Sequence, residues 1–109
     1  MAMIPEEIEA VFLRPGMFVV DETYQSVTTF IDGYHYGKSG LFHLEFRDWL
    51  LNEFKVRSCQ HWPSYVAYIF ERKNNEPFET LPEKEKLKYL HEIFQSYYKN
   101  TCKIETQGQ

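Results

Sequence analysis

Thiols are scarce in this chain: two cysteines in 109 residues, Cys59 and Cys102, far apart and outside any C-x-x-C pair. That spacing excludes a dithiol redox motif, leaves a single disulfide open, and fits free thiols packed inward. Long apolar runs are missing too. The longest, Tyr65 to Phe70, is six residues, where a bilayer span needs about twenty. The opening MAMIPEEIEA has no basic stretch followed by an apolar one. No secretory signal is therefore expected, and the location read from the sequence is cytoplasmic. A basic excess is absent as well, since the net charge is −4. Residues 1–50 carry eight acids against three bases, while residues 51–109 carry eight acids against nine bases. An acidic half disfavours nucleic acid, whose phosphates demand a basic groove, and anionic membranes for the same reason. It suits a basic protein partner, because opposite charge steers the encounter.

What the chain does have is aromatic rings, 17% of its residues, with nine Phe and eight Tyr. At this length it makes one domain, and folding should remove roughly two-thirds of the extended chain's surface from water. The expected body is residues 1–100, with 101–109 a frayed or disordered tail. Pro5-Glu6-Glu7 followed by Ile8, Val11 and Phe12 predicts a short helix, with proline and carboxylates suited to its first turn. Pro15 ends it, and Gly16 offers access to positive φ. Met17 to Val20 reads as extended chain, with one short strand near residues 16–20 as an expected addition. Thr23 is the expected N-cap of a second helix in which Tyr24, Val27, Thr28, Ile31 and Tyr34 form one stripe. Gly33 inside it marks a close approach or an early end.

A third helix is predicted from Leu41 to Phe54 on the face of Phe42, Phe46, Trp49 and Leu50. A fourth restarts at Pro63, with Trp62, Val66, Ile69 and Phe70 aligned, before a polar loop over residues 72–80. The last begins with a capping box of Thr80 and Glu83. Its apolar face is Leu87, Leu90, Phe94, Tyr97 and Tyr98. The fold class is mainly α: a single compact domain of about five helices around an aromatic core.

Arg14-Pro15-Gly16-Met17-Phe18 resembles the R-P-G-M-[YF] segment of the ATPase domain of gyrase-type topoisomerase subunits. The likeness extends to Phe30-Ile31-Asp32 and covers about a fifth of the chain. At the decisive positions the pattern departs. Thr29 stands where the water-activating Glu would be, Gly33 where the magnesium-binding Asn would be, and no glycine-rich phosphate lid follows. ATPase chemistry is therefore not expected. Across most of the chain the order R-P-G-M-[FY], then Gly33-Tyr34, Phe46 to Leu50, Trp62 and a final F-x-x-x-Y helix is similar to small bacterial proteins of unassigned function. Small acidic bacterial proteins of this size include toxin-neutralising immunity proteins, which cap the active site of a cognate nuclease or other toxin. That resemblance implies a protein-binding inhibitor and carries over no residue role.

Reactive constellations are sparse. His35, His43, His61 and His91 are scattered with no i, i+4 pair, so no metal site is expected. Cys59 is the candidate nucleophile, with His61, or equally His43 or His91, as its base, near a Trp49/Trp62 aromatic pocket. This is the alternative reading, a small enzyme or ligand-binding module. The favoured reading is a non-enzymatic inhibitor without cofactor, whose acidic first half meets a basic protein such as a toxin domain. Its expected contacts are Asp21 and Glu22 after the turn, Tyr24 and Tyr36 bracketing the second helix, and Asp48. Acids would meet Lys or Arg and tyrosines would supply anchors. Monomer and homodimer both remain open.

Overall fold

Steric limits at Pro15 set the first boundary, and the rest of the architecture follows from where apolar side chains can be buried. The computed structural model describes residues 4–38 and 41–107, with side chains described as far as residue 99. Five helices form: α1 Glu6–Leu13, α2 Tyr24–Lys38, α3 Phe42–Phe54, α4 Trp62–Asn74 and α5 Glu83–Gln107. Among the described residues there is no strand. Ser39 and Gly40, expected as punctuation after α2, and the last two residues of the tail lie outside the described residues.

The expected strand near residues 16–20 is instead a 3-10 turn over Pro15–Met17. The amides of Met17, Phe18 and Val19 bond back to the carbonyls of Arg14 and Pro15 at 2.9–3.0 Å. A strand needs a partner to satisfy its backbone groups, and among the described residues no other segment forms a strand to supply one. The turn satisfies them locally. Gly16 does not need a positive φ. Its value is the missing Cβ, which would come within 3.2 Å of a Glu22 carboxylate oxygen. Gly33 neither ends α2 nor admits a neighbour, since nothing lies within 4 Å of a Cβ built there.

Thr23 caps α2 as expected, its hydroxyl oxygen accepting the Ser26 amide at 3.2 Å. The α4 helix runs on to Asn74, four residues past its last apolar position, and stops where Asn75 turns left-handed. Asn tolerates that conformation better than most residues. Lys55 ends α3 in the same way.

The core is a layer of rings. Phe42, Phe46 and Phe94 lie nearly parallel, with centroids 4.9–5.9 Å apart and planes within 15° of one another. Trp62 and Tyr97 stand edge-on to Phe42 and Phe46, at 71–84°. Offset-parallel and edge-to-face are the two arrangements that the ring quadrupole favours. Below them Ile8, Val11, Val27, Ile31, Leu50, Ile69 and Leu90 are fully buried. Phe78, expected in a polar loop, is also buried. It sits edge-on to Tyr24 and Phe70 and closes the α4–α5 end of the core.

One histidine continues the ring layer. His35 is buried and stacks on Phe42 at 3.7 Å. Its Nδ1 is 3.0 Å from the Ile31 carbonyl, an oxygen that can only accept, so the proton sits on Nδ1. Nε2 is then the acceptor for the Tyr98 hydroxyl. Burial pushes this imidazole below its ordinary value, with the Ile31 bond and Asp32 pulling the other way. The folded chain thus holds fewer protons here than the unfolded one. The contribution to stability is full above about pH 6.5 and is lost as pH falls through the folded value.

Two outcomes test this core. Phe46→Ala should cost about 3–5 kcal/mol in urea unfolding, while Val20→Ala, at a site 99% exposed, should stay within about 0.5 kcal/mol. Nitrogen-detected NMR should find His35 as the neutral Nδ1–H tautomer at pH 7. A protonated ring at that pH would overturn the assignment.

Candidate partner-binding surface

The turn between α1 and α2 exposes a concentration of apolar side chains. Leu13, Met17 and Val20 are 66%, 70% and 99% exposed, and Phe18 is half-exposed against the edge of Phe30 at 5.7 Å. Asp21 and Glu22 follow at once, both exposed. The local reason is steric. Arg14 precedes a proline, and the 3-10 turn after it holds Met17, Phe18 and Val20 away from the ring layer. Val19 is the one that packs against the core.

Two depressions flank the turn. A shallow hollow of about 560 Å³ is lined by Val19, Val20, Asp21, Gln25, Ser26, Thr29 and Phe30. On the opposite side, a groove of about 480 Å³ runs between Phe12, Leu13, Pro15 and Glu22 on one wall and Lys84, Leu87, Lys88 and His91 on the other. The groove has a rigid wall: His91 stacks on Phe12 at 4.6 Å, and its Nε2 is 2.8 Å from a Glu9 carboxylate oxygen.

Glu83 anchors the start of α2, and with it the far end of the turn. The Tyr24 amide, the first of α2 and without a partner inside the helix, donates to Glu83 Oε1 at 2.7 Å. The other carboxylate oxygen accepts from Lys86 Nζ at 3.0 Å. Lys86 is only 7% exposed and lies over the Phe78 ring. The capping box expected at Thr80 and Glu83 is therefore not formed. Thr80 donates to the Pro77 carbonyl at 2.8 Å, and Glu83 caps a different helix. The Tyr24 amide, then Lys86, hold the Glu83 carboxyl below its usual range.

The five expected contacts are not one constellation. Asp21 and Glu22 share the turn. Tyr24 faces inward: its hydroxyl donates to the Pro63 carbonyl at 2.6 Å, and burial, with help from Tyr89 and Glu79, pushes it well above the ordinary phenol value. It ties α2 to α4 and is not offered to a partner. Tyr36 is 77% exposed, but lies twelve residues along α2, about 18 Å from Tyr24 at 1.5 Å per residue. Asp48 is exposed on α3; burial pushes the Tyr65 hydroxyl up, Arg57 and Arg47 pull it down and Asp48 pushes it up, which puts Asp48 on the α3–α4 side.

The alternative pocket is filled. Trp62 is buried among Phe42, Phe46 and Phe94, and its indole N–H donates to Asp32 Oδ1 at 2.9 Å. Trp49 packs on Phe46, Phe54 and Tyr97. His61 Nε2 is engaged by Asp32 Oδ2 at 3.0 Å, with no hydrogen bond to Cys59. Cys59 is exposed and free, not packed inward. Asp32, which the ATPase-like pattern would place beside a magnesium ligand, instead holds two side chains from the head of α4.

Among the described residues no three His, Cys, Asp or Glu gather closely enough to hold a metal ion. None of the described helices is long and apolar enough to cross a membrane. No family model matches the chain, and neither the curated proteins nor the solved structures give a match.

Glu83→Gln tests the anchor. It keeps an acceptor for the Tyr24 amide but leaves Lys86 with only Glu79, 4.0 Å away and well exposed. Loss of a charged hydrogen bond on a part-exposed carboxylate should cost about 1–2 kcal/mol at pH 7. Because the folded carboxyl is depressed, the Glu83 contribution is full above the ordinary carboxylate range and lost below it. Urea midpoints should therefore fall less steeply with acid in Glu83→Gln than in the parent.

Proposed function

We propose that this chain is a non-enzymatic protein-binding inhibitor of the immunity type, acting in the cytoplasm on a basic partner such as a toxin domain. One observation carries the reading: Leu13 at the end of α1 and Met17, Phe18 and Val20 in the turn after it are exposed, and the turn continues into Asp21 and Glu22. Apolar side chains gain nothing from water, and a cluster held out by a fixed turn marks a contact surface. Val20 and Phe18 would supply the dehydrated centre of the interface. Asp21 would meet a Lys or Arg at its rim, speeding encounter more than tightening the final complex. Inhibition then needs no reactive group, only occlusion of the partner's basic active-site cleft.

The filled ring core supports binding over turnover, since Trp49 and Trp62 are committed to packing. Because immunity proteins are encoded beside their toxins, the probe is the purified product of the neighbouring gene. Stopped-flow and surface plasmon resonance should show that Asp21→Lys slows association roughly tenfold at low salt and flattens its salt dependence. Val20→Asp should chiefly speed dissociation. Parent-like kinetics in both variants would remove this face from the interface, and failure of the parent to bind or inhibit that product would overturn the reading.

A further inference from the structure

The groove on the other side of the turn carries charges of the wrong pattern for a purely basic partner. Glu22 stands on the turn wall, and Lys84 and Lys88, one helical turn apart, stand on the α5 wall. Neither lysine meets Glu22, nor any other carboxylate, within 4.0 Å. Glu22 itself is held beside Gly16, whose missing Cβ leaves space for its carboxylate. Between the two walls the surface is apolar, made by Phe12, Leu13, Pro15 and Leu87. An occupant must therefore bring apolar side chains to the middle, a cation to one wall and an anion to the other.

The chain itself meets that specification. We infer that the groove between the α1–α2 turn and α5 is a homodimer interface, filled by the same face of a second copy. In a two-fold pairing every contact is made twice with the roles exchanged. Glu22 of each copy then lies against Lys84 and Lys88 of the other, and Leu13 and Leu87 of both meet in the centre. Charges that do not pair within one chain meet opposite charge across the axis, each Glu22 lying between two lysines of the other copy. The hollow on the Asp21 side of the turn remains free. This inference shares Leu13 and Glu22 with the face of the inhibitor reading but leaves Phe18, Val20 and Asp21 to it, and it needs no toxin for its test.

Sedimentation velocity on the full chain, across roughly 5 to 200 µM, reads the outcome. The parent should move toward twice the 13.1 kDa chain mass as concentration rises. Glu22→Lys should sediment as a monomer over this range, and so should Lys84→Glu/Lys88→Glu. Mixed in equal amounts, the two should again form a dimer, because each reversed wall then faces its reversed complement. All three sites are exposed and outside any ion pair among the described residues, and circular dichroism should give each variant the parent's helical spectrum. Asp21→Lys should dimerise like the parent. The inference is overturned by a parent monomeric at 200 µM. It is equally overturned by a dimer that survives both reversals, or by reversed variants that fail to associate on mixing.

Discussion

Everything in this fold depends on three parallel phenyl rings. Phe42 and Phe46 come from one helix and Phe94 from another, so their stacking fixes α3 against α5. Trp62 and Tyr97 then meet that stack edge-on and bring in α4. Ring packing of this kind constrains angle as well as distance, unlike the looser contact of aliphatic side chains. The price is polar atoms carried inward, each of which needs a partner. Trp62 is answered by Asp32, Tyr24 by the Pro63 carbonyl and Tyr65 by the Val56 carbonyl. His35 joins the same layer only because its two nitrogens are both satisfied. Tyr89 is the exception, its hydroxyl buried without a partner.

The helices were legible in the sequence because they rest on periodicity. Tyr24, Val27 and Ile31 predict α2 correctly, and Thr23 caps it, since both signals are local. The class, mainly α with an aromatic core, follows from the same repeats. Boundaries were less legible. The polar residues 71–74 extend α4 because nothing breaks the helix before Asn75, and Phe78 is buried because Tyr24, far earlier in the chain, offers it a ring. The strand near residues 16–20 was misread because an apolar run reports burial or exposure only once its neighbours are known.

The site was less legible still. Asp21 and Glu22 are candidates by their place after the turn, and the structure shows of them only that they are exposed. Tyr24 was drawn by its type, yet its fate is decided by Pro63 and Phe78, far off in sequence. Glu83 was read as capping its own helix, when its 59-residue reach to the Tyr24 amide carries no sequence signal. The pairs Glu9–His91 and Asp32–His61 are equally silent in the linear chain. Long-range polar contacts have no period, which is why a reading built on period misses them.

Val20 projects almost wholly into solvent, and the ring layer holds together without it. On the inhibitor proposal, folding and recognition would draw on separate sets of residues. Changes along the α1–α2 turn can alter what the surface prefers while the scaffold beneath stays as stable as before. Such a division would let an inhibitor of that kind follow a changing target by drift at a few loop positions, with no need to re-solve the packing problem each time.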